Sequence, residues 1–213
     1  LNIFKSNFPE LSNHQISKLD HMKELYEMWN KKINVISRKD ISEINTRHIL
    51  HSLSIAKILK FKEKSKIFDV GTGGGFPGIP LSILNPNSEF TLCDSVGKKI
   101  KVVESIVKQL ELKNVRTLKT RSENVRERFD FIVCRAVTNM SDFLKIVDGK
   151  ISPKNNHKFN NGIFYLKGGD LSRELKNIKN HKVFEIKDFF NDSFFESKKI
   201  VYVPISCKDK YNQ

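Results

Sequence analysis

The residues most able to do chemistry surround one loop. Asp69 closes a short apolar run, and the chain then breaks into Gly71, Gly73, Gly74 and Gly75, with Pro77 following where a helix could begin. Glycine lets a backbone turn sharply and approach a ligand closely, and the first turn of the next helix offers unpaired N–H donors. Together these make a cofactor loop. The acid narrows the choice of cofactor. A dinucleotide pyrophosphate needs positive potential and free N–H groups, and Asp69, directed into the site, repels it. S-adenosyl-L-methionine has no phosphate; its ammonium, sulfonium and ribose are all compatible with nearby acids. Pro77 also removes an N–H from the turn, although proline suits a first helical position. Gly73, Gly75 and Gly78 still satisfy G-x-G-x-x-G. The loop alone therefore leaves a nicotinamide-dependent oxidoreductase open, and a tight turn without a ligand is the bland reading.

A second acid follows at a telling distance. Residues 89–93 read as a strand, and Asp94 comes next. It lies about 20 residues past the glycine turn, where an acid holds ribose hydroxyls in a nucleotide-binding βαβ unit. Asp94 could equally cap a helix over 96–110, and the two roles are compatible.

The elements that must position these residues start at Lys66. Strands over 66–70, 89–93, 115–119, 129–134 and 162–167 alternate with helices over 77–84, 96–110, 141–147 and 171–179. This alternation predicts a doubly wound, mostly parallel α/β sheet with helices on both faces. Runs over 182–187 and 199–204 have no convincing helix between them, which predicts an antiparallel hairpin at the sheet edge. Residues 152–161 are polar and read as a surface loop. Before the sheet, Ile16, Leu19, Tyr26, Trp29 and Ile33 form one helical stripe capped by Ser12 or Asn13, and Ile49, Leu53, Ala56 and Leu59 form a second. Residues 1–60 thus read as an N-terminal helical extension packed on a core over 61–213, one domain overall. In such sheets the ligand binds beyond the carboxyl ends of the strands. Those ends carry Asp69, Gly71–Gly75, Asp94, Arg121, Ser122, Glu123, Arg135 and Lys167: acids for a cationic cofactor beside bases for an anionic substrate.

Composition points to the partner. The 213 residues carry a formal net charge of +14, an excess that favours a polyanion bound through its phosphates. Compositional lysine bias is the plain alternative. Cys93, Cys134 and Cys207 are far apart, so a metal or disulfide framework is not expected, and reduced thiols suit the cytoplasm. No apolar run approaches the ~20 residues that span a bilayer, and no secretory signal opens the chain, whose start at Leu1 suggests either trimming or an engineered end.

Several stretches combine into a more specific pattern. They are Trp29-Asn30-Lys31 with Asn34 and Ser37, Arg47-His48-Ile49-Leu50, and Asp69 through Gly75 continuing as Phe76-Pro77-Gly78-Ile79-Pro80-Leu81. Further along come Asp94-Ser95 with Lys98-Lys99, Arg121-Ser122-Glu123, Phe129-Asp130, Arg135-Ala136 and Leu166-Lys167-Gly168. Over nearly its whole length the chain resembles the RsmG (GidB) family of 16S ribosomal RNA guanine-N7 methyltransferases. The resemblance implies a class I methyltransferase (Rossmann-like) fold and S-adenosyl-L-methionine as donor. It also implies methylation of N7 of one guanine, conventionally guanine 527, in the small-subunit decoding region. Carried over by position, Asp69, Gly71, Gly73, Gly75, Phe76, Ser122, Glu123 and Arg135 line the cofactor site and Asp94 takes the ribose. Arg47, His48 and Lys98 contact RNA, and Arg135 and Lys167 serve catalysis. Guanine N7 is already an exposed lone-pair acceptor, so no general base is assigned and no metal is expected. The partner is small-subunit ribosomal RNA or the 30S particle, with a monomer as the simplest state. Two positions depart from the pattern: His51 stands where the family usually has an acid, and Gly74 where alanine or proline is common. A non-catalytic RNA-binding protein would account for the charge but not for the loop.

Overall fold

The computed structural model describes residues 2–37 and 39–205; Cys207 lies outside the described residues. Seven strands form one sheet: β1 (Lys66–Val70), β2 (Glu89–Asp94), β3 (Val115–Lys119), β4 (Phe131–Arg135), β5 (Gly162–Gly168), β6 (Lys182–Glu185) and β7 (Lys198–Pro204). Their order is β3-β2-β1-β4-β5-β7-β6. The first five are parallel, and β7 runs antiparallel to both β5 and β6. The expected terminal hairpin is present, with its second strand inserted beside β5. Strand order reverses between β1 and β4, so the loops after these two strands diverge and leave a crevice between them.

Strand parity decides what faces each layer of helices. Phe131 and Val133 of β4 join one apolar cluster, while Ile132 and Cys134 join the other. The first cluster runs under α1 (Ile3–Asn7), α2 (Asn13–Asn30), α4 (Gly78–Leu84) and α5 (Gly97–Gln109). The second lies under α6 (Met140–Ile146) and α7 (Ser172–Leu175). The N-terminal helices therefore share a continuous core with the sheet. Cys93 and Cys134 are fully buried free thiols within that core.

The local differences from expectation have local causes. Ser12 caps α2, its hydroxyl accepting from the Gln15 N–H while the Gln15 amide oxygen accepts from the Ser12 N–H. The helix stops at Asn30, whose side chain bonds Val35 and Ile36 and folds the next turn back, so Ile33 lies outside it. The second helical stripe is not one regular helix. It opens as a π-helix (Asn45–Leu50), passes through one α-turn (α3, His51–Leu53) and closes as a tighter 3-10 turn (Ser54–Lys57). Pro77 precedes α4 instead of opening it, and Arg135 ends β4 instead of following it. The helix expected over 171–179 shrinks to α7. The chain beyond it turns back toward β6, with Asn180 at a left-handed φ of 58°. Among the described residues no helix is long and apolar enough to cross a membrane.

Candidate active site

Two clefts open along the carboxyl edge of the sheet. The first, of about 440 Å³, is lined by Gly71, Asp94, Ser95, Ser122 and Glu123, with Ala136 and Val137 as its far wall. The second, of about 600 Å³, is lined by Arg47, His48, His51, Arg135, Lys167 and Lys198, and it shares Ala136 and Val137 with the first. Those two residues form a septum. One side sets Asp94 and Glu123 beside Lys99 and Arg121; the other is mostly cations and imidazoles, with Asp40 and Glu174 among them.

The glycine loop is built from below by an acid. Asp69 alternates out of β1 toward α4 and is fully buried. Its Oδ2 accepts the Thr72 hydroxyl at 2.5 Å and the Gly78 N–H at 2.8 Å. Burial pushes this carboxyl up to about 7, against the opposing pull of those two hydrogen bonds. Asp69 thus ties the start of the loop to the start of α4 and does not line either cleft. Gly75 shows why the loop needs glycine: its φ is 97°, and a Cβ there would stand 2.5 Å from Ile79 Cδ1. Phe76 is also buried. It packs on Tyr26 at 4.9 Å and His48 at 5.1 Å between ring centroids, and the Arg135 guanidinium lies 5.2 Å from its ring centre. The Tyr26 hydroxyl donates to the Gly74 carbonyl.

Asp94 is not the N-cap of α5, a place Val96 takes; its carboxylate instead ties two backbone segments together. Its Oδ1 accepts the Val96 N–H at 2.8 Å, and its Oδ2 accepts the Gly73 N–H at 2.9 Å. Each oxygen keeps a lone pair, and the residue lines the first cleft. Ser122 lies under the same cleft with its hydroxyl directed at Cys93 Sγ (3.7 Å), whereas Glu123 is exposed at the rim. Two carboxylates, a hydroxyl and a cleft of nucleoside size suit the ribose and cationic groups of S-adenosyl-L-methionine.

In the second cleft Arg135 is held by the π-helical segment. Its Nη2 donates to His48 Nδ1 at 2.9 Å and its Nη1 to the Arg47 carbonyl at 3.3 Å. Arginine can only donate, so His48 is an acceptor and carries no proton on Nδ1. Burial, aided by Arg135, pushes His48 down to about 3, and burial lowers Arg135 to about 10. His51 is buried and likewise held well below its ordinary value by burial first and Arg135 second. Arg47 pairs with Asp40 at 2.7 Å, and Lys167 pairs with Glu174 at 2.6 Å. Arg135 and Lys167 leave adjacent strands on opposite faces, so they reach the cleft from opposite sides. Lys98 belongs to neither cleft; it is exposed on α5 beside Lys101 and Lys119.

Sequence patterns did not single out Tyr26 as a loop contact, nor Val137, Tyr165 and Glu174. Tyr26 lies 48 residues from the carbonyl it serves, and no local spacing signals such a bond. Ala136 adopts a left-handed φ of 51° without being glycine, which nothing in its neighbourhood announces.

A family model described as rRNA small subunit methyltransferase G matches residues 15–201. The chain belongs to this family. A relative named ribosomal RNA small subunit methyltransferase G, from Christiangramia forsetii, is 54% identical over 208 residues, covering 98% of this chain and 99% of that protein. Its namesake from Flavobacterium psychrophilum is 55% identical over 202 residues, covering 95% and 97%. Among solved structures, a SAM-dependent methyltransferase from Aquifex aeolicus aligns with a TM-score of 0.55 at 17% identity, covering 78% of this chain and 97% of that one. Precorrin-6y C5,15-methyltransferase from Geobacter metallireducens gives 0.56 at 13% identity, covering 81% and 92%. These likenesses show the class I methyltransferase fold. This member of the methyltransferase G family is an S-adenosyl-L-methionine-dependent enzyme, which sets aside the nicotinamide oxidoreductase and the non-catalytic RNA-binding protein.

Proposed function

We propose that the enzyme methylates N7 of one guanine in small-subunit ribosomal RNA, with the cofactor in the cleft of Asp94 and the base in the basic one. The observation that carries this reading is the septum: a cleft holding the free lone pairs of Asp94 and a cleft dominated by cations and imidazoles meet at Ala136 and Val137. The name borne by relatives more than half identical to this chain and the net charge of +14 support RNA as the substrate. Such a substrate also places the enzyme in the cytoplasm, on ribosomal RNA or the 30S particle, and a monomer suffices for it.

Within this reading Asp94 takes the ribose hydroxyls, and Gly71, Ser122 and Glu123 line the cofactor. Gly73 acts through its bond to Asp94, while Asp69, Gly75 and Phe76 shape the loop from behind. Arg47 and His48 border the base, and Lys98 meets the RNA backbone outside the cleft. Bound S-adenosyl-L-methionine supplies an electrophilic methyl on a sulfonium. Guanine N7 attacks without losing a proton, so the chain's task is alignment and a suitable field. Positive charge passes from sulfur to the base. A cleft crowded with free cations would oppose that transfer, but Arg47 and Lys167 are paired with acids, His48 is neutral, and Lys198 lies over the Phe194 ring. Arg135 remains as the donor that orients base or cofactor. A flipped or single-stranded guanine is required for access. The test is transfer of labelled methyl to small-subunit RNA and to particles lacking the modification, with the modified base mapped. Failure on every assembly state, with S-adenosylhomocysteine still bound, overturns the substrate.

A further inference from the structure

The septum between the clefts is a loop whose main chain is held almost entirely by side chains from β5 and α7. Tyr165 Oη accepts the N–H groups of Val137 (3.0 Å) and Thr138 (2.8 Å) and donates to the Thr138 carbonyl at 2.6 Å. Lys167 Nζ donates to the same carbonyl at 2.8 Å. Glu174 Oε1 accepts the Met140 N–H at 2.5 Å and pairs with Lys167 at 2.6 Å. The pair is well shielded, with 11% of the Lys167 side chain and 23% of Glu174 exposed, and the Lys167 ammonium lies 4.1 Å from the centre of the Tyr165 ring.

The loop so held carries the left-handed Ala136, a conformation that persists only where surroundings over-determine it. It also presses on the cofactor loop: a Cβ on Gly71 would stand 2.9 Å from Val137 Cγ2. Displacing the septum by a fraction of an ångström would therefore shift one wall of each cleft together. A lysine whose donors go to a carbonyl and a carboxylate on its own chain has little left for a substrate phosphate.

We propose that Tyr165, Lys167 and Glu174 form a positioning clamp that sets the septum, and with it the alignment of base and methyl, and that Lys167 acts on the loop and not on the RNA. This rests on the substrate reading above. No metal, redox partner or proton transfer is involved.

The test compares wild type with Tyr165→Phe, Lys167→Met and Lys167→Arg in methyl transfer to unmodified small-subunit particles, alongside RNA binding over a salt series. Amide hydrogen exchange over residues 136–140 is read on the same proteins. Tyr165→Phe and Lys167→Met should each lower kcat by about 10- to 100-fold, the range expected of a misaligned reacting pair. They should leave S-adenosylhomocysteine binding within about threefold, and Lys167→Arg should restore part of the loss by keeping the Glu174 pair. Exchange at Val137 and Thr138 should quicken in Tyr165→Phe. The salt slope of RNA binding should be unchanged, whereas loss of a phosphate contact reduces it by about one. A slope reduced in Lys167→Met, or kcat unchanged with only stability lowered, overturns the clamp. If wild type transfers no methyl to any small-subunit RNA, the substrate reading fails by itself. The clamp is then decided by exchange in Tyr165→Phe, and unchanged protection there rejects it.

Discussion

Arg135 shows how one residue draws its role from its surroundings. A guanidinium at a strand end is ordinarily a solvated surface charge. Here an unprotonated His48 and the Arg47 carbonyl accept from it, and Phe76 lies beneath it. Those contacts hold the guanidinium in place at the wall of the basic cleft. Arg135→Ala is expected to lower methyl transfer about 100-fold, the usual cost of losing one pre-aligned donor at a reacting centre, while leaving S-adenosylhomocysteine binding and the unfolding midpoint close to wild type. Arg135→Lys should not rescue it, because an ammonium cannot serve two acceptors in the guanidinium's fixed fork. Unchanged turnover in the alanine variant, with binding intact, would remove Arg135 from the mechanism.

At the scale of elements, the cofactor loop is a strand-to-helix turn braced by a buried acid. Gly75 and Gly73 both have positive φ, but their surroundings differ. A Cβ on Gly75 would collide with Ile79 Cδ1 at 2.5 Å, whereas on Gly73 the nearest atom is the Gly71 carbonyl oxygen at 3.9 Å. Gly73→Ala should therefore cost about 1–2 kcal/mol from backbone strain alone, and Gly75→Ala clearly more; urea unfolding of the two variants checks the order. Asp69 adds a pH signature to the same element. Its folded-state carboxyl is raised from 3.8 to about 7. The folded protein thus holds a proton that the unfolded chain has released, and this group's contribution to stability falls as pH rises from about 4 to 7. Asp69→Asn should remove that fall. The stability of the variant relative to wild type is expected to rise through this window, by at most about 1.4 kcal/mol per pH unit. Unfolding midpoints of both proteins at pH 5 and pH 7 test it, and a constant difference would contradict the assignment.

For the molecule as a whole, the sheet order places a cofactor cleft and a basic cleft on one edge, while a charge of +14 is spread well beyond them, as with Lys98, Lys101 and Lys119. Binding of small-subunit RNA should weaken at least 10-fold between about 50 and 200 mM salt through counterion release. S-adenosylhomocysteine, which carries no phosphate and binds in the cleft of Asp94, should change little. Filter binding and calorimetry across that range separate the two, and equal salt dependence would place the ligand among the basic residues. Much of this architecture was legible beforehand. The strand runs at 66–70 and 115–119 match β1 and β3 residue for residue: β1 is a buried, largely apolar run, and β3, a half-exposed edge strand, carries the β-branched Val115 and Thr117 that favour extended backbone. The second helix was not legible in its true form, since its π-helical opening packs against Arg135 and Phe76, which lie elsewhere in the chain.

The amino-acid order by itself determined the glycine loop, the acids at Asp69 and Asp94, the alternation of strands and helices, and the excess of basic charge. Each of these is written in neighbouring residues or in composition. Only the tertiary structure decided what those residues touch. It turned Asp69 under the loop, buried Phe76 against Tyr26 and His48, and exposed Lys98 outside both clefts. It also committed Lys167 to Glu174 and Thr138. Strand parity and contacts between segments tens of residues apart set these outcomes, and a side chain's chemistry follows from the partners and solvent that such contacts leave it.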